Sequence, residues 1–162
     1  MEKCDSRTVA HAEPRPRTPD RSKCRVLVVE GLEELQTHAD EWQELADAAI
    51  EPNVFYEPWM LQHAVRWFFR IKAVRFVFIY APDVLGSGRE VLAGFFPISI
   101  CVHYHGIPLK TLSFLKHKYC FLSVPLLRQG YAEEALDEFC AWLDGRPFGC
   151  SILEMEQVLG SG

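Results

Sequence analysis

Residues Lys72–Ala81 read KAVRFVFIYA, and residues Glu90–Tyr104 read EVLAGFFPISICVHY. Both stretches are rich in β-branched and aromatic residues, which is typical of strands. The connection between them contains Gly86–Gly88 (Gly-Ser-Gly), which favours a hairpin turn, and a further turn leads to a third strand at Leu109–Leu115. The pattern predicts an antiparallel meander of three strands. Pro97 in the middle strand then requires a bulge or an edge, because proline cannot donate to a ladder.

The sequence on either side of this meander predicts three helices and two further strands. Cys24–Glu30 (CRVLVVE) is typical of a short strand. Apolar residues spaced three and four apart predict helices at Leu32–Ala49 and Pro58–Phe68, and a third helix that ends at Gly145. Cys150–Val158 predicts a last strand. The order β-α-α-β-β-β-α-β indicates an α+β (mixed α/β) fold, with a mostly antiparallel sheet and flanking helices.

The first 23 residues differ in composition from the rest of the chain. They are rich in Pro, Arg, Asp, Ser and Thr and have no apolar periodicity, so a disordered tail is predicted for 1–23 and one domain for 24–162. Residues 1–24 hold six Lys or Arg and four Asp or Glu, which leaves 11 basic and 18 acidic residues in the rest. Because phosphate contacts need clustered basic residues, we expect no nucleic-acid partner.

The cysteines and the hydropathy indicate the cell compartment. The chain has six cysteines and no apolar leader segment before them, so we expect reduced thiols and a cytoplasmic protein. The most apolar run, Val91–Val102, is too short to cross a bilayer, and we expect no membrane span.

Two small groups of residues could carry chemistry. Cys101, His103 and His105 alternate along a predicted strand, with His117 and Cys120 on a possible neighbouring strand. Ligands about 6.5–7 Å apart on alternate strand positions are compatible with a soft metal, and equally with ordinary polar residues near a strand end.

Glu154 and Glu156 lie two apart on the last predicted strand, where a carboxylate pair could supply a general base. A solvated face of an edge strand explains them as well. The sequence contains no Gly-x-Ser-x-Gly, no phosphate loop ending in Gly-Lys, and no Gly-x-Gly-x-x-Gly.

Several of these segments together resemble one known family. The chain is similar to the N-terminal half of tandem acyltransferases of the GNAT superfamily, the Fem-like and cellulose-biosynthesis-type proteins. Four stretches carry the resemblance: Trp42–Leu45 with Pro52–Leu61, Leu92–Ile98 with its Gly-Phe-Phe-Pro-Ile, Leu112–Leu115 through Pro125–Leu126, and Cys150–Glu156.

The resemblance implies a GNAT-like half-domain at 24–162 that transfers an acyl or aminoacyl group to an amine. It implies acetyl-CoA or another acyl donor as cofactor, held by a glycine loop that belongs to the second half and lies outside this chain. The implied partner is a second GNAT-like half, from the same gene or a separate chain, or a homodimer. Substrate contacts are expected at Tyr56, Trp59, His103 and Glu154.

Two alternatives stay open from the sequence. The first is a non-catalytic GNAT-like module that binds a protein through its last strand. The second is a small metal or redox protein that uses Cys101, His103 and His105.

Overall fold

The computed structural model describes residues 24–83, 88–104, 106–116, 120 and 122–155. The predicted tail, most of the hairpin turn and the end of the last predicted strand lie outside these residues. The strands are β1 Arg25–Val29, β2 Val74–Pro82, β3 Glu90–Cys101, β4 Thr111–Phe114, β5 Leu126–Leu127 and β6 Leu153–Glu154. The helices are α1 Leu32–Thr37, α2 Ala39–Asp47, α3 Pro58–Phe68 and α4 Ala132–Asp144, with 3₁₀ turns at Val54–Tyr56, Ile71–Ala73 and Pro147–Gly149.

All six strands belong to one sheet of order β1-β2-β3-β4-β6, in which β5 also pairs with β3. Neighbouring strands are antiparallel except for β4 and β6, which are parallel. The predicted meander is therefore confirmed as β2-β3-β4, and so is the α+β fold with a mostly antiparallel sheet.

The two faces of the sheet carry separate parts of the core. Successive strand residues point to opposite faces, so β2 contributes alternately to each side. One face packs against α1, α2 and α3 through a cluster that includes Trp42, Tyr56, Phe76, Phe78 and Phe95. The other face packs against α4 through a cluster that includes Val77, Ile79, Phe96, Phe114 and Phe139. Helices thus cover both faces.

The structure differs from the predicted elements in several places. Strand β4 covers Thr111–Phe114 instead of Leu109–Leu115, and the last strand begins at Leu153 instead of Cys150. The helix predicted at Leu32–Ala49 is divided at His38, whose φ of −100° and ψ of 8° interrupt the helix and whose ring contacts Phe78. Strand β3 ends at Cys101 instead of Tyr104. Strand β5 was not predicted. It has only two residues, too few to show a hydrophobic pattern, and it is a strand because it pairs with β3.

Pro97 fits the interior of β3 without a bulge at its own position. Its carbonyl accepts from the N–H of Leu115 at 2.9 Å, so its backbone polar groups face the β4 and β5 side of the strand. On that side, β5 pairs at Gly94–Phe95, and β4 pairs from Ile98 onward. Pro97 lies in the gap between the two short strands, where no ladder partner requires an N–H from it.

Gly94 lies at a close approach of β3 to α4. A Cβ at this position would stand 2.7 Å from Cε2 of Phe96 and 3.1 Å from Cβ of Ala135. Because both neighbours are fully buried, neither can move cheaply. We expect Gly94→Ala to lower the free energy of unfolding by about 1–3 kcal/mol, measured by equilibrium urea denaturation. The reference variant is Ala141→Gly on the exposed surface of α4, which is expected to cost about 1 kcal/mol. Gly130→Ala is not a suitable control, because Gly130 has a φ of 85° that a side chain would strain.

Candidate functional site

A row of polar side chains crosses three neighbouring strands of an otherwise apolar sheet. Ser99 of β3 is the register partner of Ser113 of β4, and Ser113 is the register partner of Glu154 of β6. Directly paired residues lie on the same face of a sheet, so the three side chains stand side by side. Their face is the one that packs against α1, α2 and α3 further along the strands.

These three residues line a pocket of about 140 Å³. Among the described residues, the pocket is lined by Ser99, Ser113, Phe114, Lys116, Ser123 and Glu154. The hydroxyls of Ser99 and Ser113 are 2.8 Å apart, so one donates to the other. Since this contact uses one of the two O–H protons, the pair retains a proton that can be donated into the pocket. Ser123 is buried, with 1% of its surface exposed.

Asn53 holds the loop that brings Ser123 to this pocket. Its amide Nδ2 donates to the carbonyl of Val124 at 2.8 Å, and its Oδ1 accepts from the N–H of Phe55 at 3.1 Å. Asn53 is itself buried, which makes these hydrogen bonds costly to lose. The side chain therefore ties the 3₁₀ turn at Val54–Tyr56 to the loop on either side of Ser123.

Tyr56, at the other end of the same turn, holds the opposite side of the loop. Its hydroxyl donates to the carbonyl of Leu115 at 2.8 Å, directly before Lys116 in the chain. Its own carbonyl accepts from Nε1 of Trp42, also at 2.8 Å. Burial raises the pKa of the Tyr56 phenol well above its ordinary value, so the hydroxyl remains a donor at neutral pH.

A second polar cluster lies at the other end of the sheet, beside the break between α1 and α2. The hydroxyl of Tyr80 donates to Glu41 at 2.6 Å, and Nδ1 of His38 also contacts that carboxylate. The guanidinium of Arg25 lies 4.2 Å from the centre of the Tyr80 ring and pairs with Glu90. Burial and the hydrogen bond to Glu41 raise the pKa of Tyr80. The cluster ties the helix break to β2.

The two raised tyrosine pKa values predict loss of stability in alkaline solution. Above about pH 10 the unfolded chain loses phenol protons that folded Tyr56 and Tyr80 still hold. Because the native state then binds more protons, the contribution of these two tyrosines to the free energy of unfolding is constant below that pH and falls as the pH rises through it. Urea denaturation between pH 8 and 11 measures the fall. A Tyr80→Phe variant is expected to show a shallower fall, and a free energy that does not change up to pH 11 would contradict the prediction.

The four substrate contacts expected from the resemblance lie in different surroundings. Glu154 lines the pocket, and Tyr56 is buried beside its loop. Trp59 is 55% exposed on α3 and donates from Nε1 to Glu57 at 2.8 Å. His103 is exposed beyond the end of β3. The fold thus brings Glu154 together with the loop that Tyr56 holds, and leaves Trp59 and His103 elsewhere on the surface.

Sequence reasoning did not single out Ser99, Ser113, Lys116 or Ser123. A usable signal was present in two of them, because Ser99 lies between Ile98 and Ile100, and Ser113 lies between Leu112 and Phe114. A serine between apolar residues of a strand indicates that its side of the strand is not covered by the hydrophobic core at that position. Which other strand it would meet could not be read from the sequence.

The structure does not place Cys101 and His103, two residues of the metal alternative, on one strand. Since β3 ends at Cys101, that residue and His103 do not alternate along one strand, and both are exposed. Within the described ranges no three His, Cys, Asp or Glu side chains are placed to hold a metal ion. His105 and His117 lie outside those ranges.

One connection has the strand-to-helix form that binds phosphate groups in many enzymes. Strand β5 leads through a turn at Gln129–Gly130, with φ of 85° at Gly130, to the N-terminus of α4. The first turn of α4 carries Glu133 and Glu134, whose negative charges repel an anion at the helix N-terminus. Nε of Arg128 donates to the carbonyl of Leu92 at 2.8 Å, so this cation is directed at the sheet. The connection is poorly suited to a pyrophosphate.

Comparison with known proteins gives limited information. Neither a protein-family model nor a curated protein matches this sequence. Among solved structures, the chain is similar to an acetyltransferase from Trypanosoma brucei, with 11% identity over 84% of each chain and a TM-score of 0.39. A likeness of this size carries no functional argument. None of the helices in the described part of the chain is long and apolar enough to cross a membrane.

Proposed function

We propose that this chain is the acceptor-binding half of an acyltransferase, and that Glu154 binds and deprotonates the amine that receives the acyl group. The observation that carries the proposal is the pocket that Glu154 lines together with Ser99, Ser113 and Ser123. A carboxylate is the usual protein partner of an ammonium group, and hydroxyls can accept its remaining N–H bonds. The acyl-transfer chemistry itself comes from the family resemblance in the sequence.

The proposed reaction is balanced as follows. An ammonium group loses one proton to the Glu154 carboxylate and becomes a nucleophilic amine. The nitrogen attacks the carbonyl carbon of an acyl thioester or ester, the N–C bond forms, and the C–S or C–O bond breaks. The second proton of the nitrogen goes to the departing thiolate or alkoxide, and Glu154 returns its proton to water.

The acyl donor is assigned to a second GNAT-like half, either from the same gene or in a separate or identical chain. The support is electrostatic. In the described chain α1, α2 and α4 each carry two carboxylates in the first turn. Both α1 and α4 follow a strand and a glycine with positive φ, Gly31 and Gly130. A coenzyme A pyrophosphate needs backbone donors without such opposing charge.

Titration of the ¹⁵N-labelled chain with ethylammonium chloride tests the acceptor site. We expect saturable amide shifts around Ser99, Ser113 and Ser123, and at least a tenfold weaker response in Glu154→Gln. Glu133→Gln removes a carboxylate from α4 outside the pocket and is the matched control. If ethylammonium and larger amines gave no shift that depends on Glu154, the acceptor role would be wrong.

A thermal-shift titration with acetyl-CoA tests the division into two halves. We expect no stabilisation of the 162-residue chain at up to about 1 mM ligand, because a ligand stabilises only the state that binds it. A concentration-dependent rise in Tm that fits micromolar affinity would overturn the assignment of the donor site to another half.

A further inference from the structure

One end of the sheet carries a group of exposed apolar side chains. Strands β2 and β4 begin at this end and β3 finishes there, because Val74 pairs with Ser99 and Thr111 pairs with Cys101. The segments that lead into and out of these strand ends expose large apolar residues, which we call the sheet-end surface: Trp67, Phe68, Ile71, Val102, Ile107 and Leu109. Trp67 is the most exposed of them, at 78%. Apolar exposure that is concentrated in this way indicates a binding surface.

Residues from α3 and from the connection between β3 and β4 meet on the sheet-end surface. Ile71, in the 3₁₀ turn after α3, and Val102, directly after β3, border one concave area. Ile107 lies on the turn that follows, where its backbone forms two hydrogen bonds of 2.9 Å with that of Tyr104. These residues therefore belong to one area, next to the end of α3 that carries Trp67.

The charge of this surface is opposite to that of the folded chain as a whole. After residue 24 the chain holds 11 basic and 18 acidic residues, yet residues 58–82 contain no carboxylate and four cations, Arg66, Arg70, Lys72 and Arg75. Arg66 and Arg70 are exposed, and neither forms an ion pair with a residue that the structure describes. Two cations thus accompany the exposed apolar side chains.

Two carboxylates lie close to these cations. Glu30 lies 2.9 Å from Nε of Arg75, and Glu33 of α1 lines a groove together with Arg66. Arg70 instead borders the concave area of the sheet-end surface itself. The charge next to the apolar side chains is therefore positive.

This combination of groups limits what can cover the surface. A second copy of the chain, related by a two-fold axis, would bring the same cations together and be opposed by their repulsion. A nucleic acid pairs with cations and stacks on aromatic rings, but it has no use for exposed Ile, Val and Leu side chains. An anionic bilayer suits all of them, because Trp favours the membrane interface, aliphatic side chains enter the acyl boundary, and Arg is attracted to acidic headgroups.

We propose that the sheet-end surface docks on an anionic phospholipid bilayer, with Trp67 and the aliphatic side chains at the acyl boundary and Arg70 against the headgroups. The protein then binds one leaflet from the outside without crossing it. Docking does not require the acyl-transfer function proposed above.

Cosedimentation of the full chain with lipid vesicles tests the docking. Vesicles of phosphatidylcholine with about 30 mol% phosphatidylserine are expected to bind the chain at least tenfold more tightly than vesicles of phosphatidylcholine alone, and added salt is expected to weaken the binding. Tryptophan emission is expected to shift to shorter wavelength on the anionic vesicles, and Trp67→Phe is expected to lack this shift.

Two variants separate the apolar and the charged contributions. Trp67→Ala is expected to weaken binding to anionic vesicles at least tenfold, and Arg70→Gln about fivefold, the factor for one cation near an anionic surface. The matched controls, Trp59→Ala near the other end of α3 and Arg89→Gln at the other end of β3, are expected to leave binding unchanged. All four variants keep the six basic residues of residues 1–24, so a loss of binding is assigned to the sheet-end surface. Circular dichroism and Tm verify that each variant is folded.

Three results would overturn the docking. The first is no binding to anionic vesicles, or binding that Trp67→Ala leaves unchanged. The second is equal binding to neutral and anionic vesicles, because Arg70 would then have no headgroup partner. The third is a dimer in analytical ultracentrifugation that Trp67→Ala dissociates, since a second copy would then cover the surface instead of lipid. The amine-acceptor role of Glu154 is measured separately and would stand in each case.

Discussion

Replacing Phe96 with alanine is expected to lower the free energy of unfolding by about 3–5 kcal/mol. Phe96 is fully buried between the sheet and α4. Its ring stacks on Phe139 of α4, with ring centroids 4.0 Å apart and an interplanar angle of 7°. Truncation removes the buried area and the aromatic pair together, and leaves a cavity under α4 that its neighbours cannot fill without moving. Equilibrium unfolding in urea, followed by circular dichroism, measures the change.

Trp67 supplies the matched control for a large aromatic residue. It is 78% exposed on α3, so Trp67→Ala is expected to change the free energy of unfolding by no more than about 0.5 kcal/mol. If Phe96→Ala cost less than about 1 kcal/mol, α4 would not pack on this face of the sheet as described.

Replacing Asn53 with alanine is expected to cost about 2–4 kcal/mol, because a buried side chain is lost and two part-buried backbone groups lose its hydrogen bonds. These groups are the carbonyl of Val124 and the N–H of Phe55. The loop around Ser123 is then held less firmly, so its amides are expected to exchange faster than those of β3. Urea denaturation and hydrogen exchange measure the two effects, and we expect weaker ethylammonium binding to the pocket as a consequence.

Asn53→Asp separates the two hydrogen bonds of Asn53. The aspartate can still accept from Phe55, but as a carboxylate it cannot donate to Val124 and places a negative charge beside that carbonyl. We expect a loss at neutral pH at least as large as that of the alanine variant. A stability within about 0.5 kcal/mol of wild type for both variants would show that Asn53 does not position the loop.

The parts of the fold that were predicted correctly depend on local patterns. The strands β2 and β3 are long runs of β-branched and aromatic residues, and the spacing of Leu61, Ala64 and Val65 indicates the buried side of α3 without knowledge of the rest. Pro97 was identified as needing special placement because proline lacks an N–H anywhere in a protein. The gap between β4 and β5 that satisfies it was not predictable, since it depends on where two distant segments pair with β3.

The candidate site shows the same division. Glu154 was singled out together with Glu156, because two carboxylates two residues apart on a predicted strand are visible in the sequence; Glu156 lies outside the described residues. The partners of Glu154 were not singled out, because Ser113 meets it only through the parallel pairing of β4 with β6. Asn53 and Tyr56 belong to a segment singled out by resemblance, and their hydrogen bonds to the loop became apparent only from the packed structure.

By itself the sequence determined the type of most elements and the sides that they bury, because backbone propensity and hydrophobic period act between residues close in the chain. Tertiary structure alone decided that three serines, a lysine and a glutamate line one pocket. That arrangement depends on strand order and register, which depend on contacts between residues far apart in the chain.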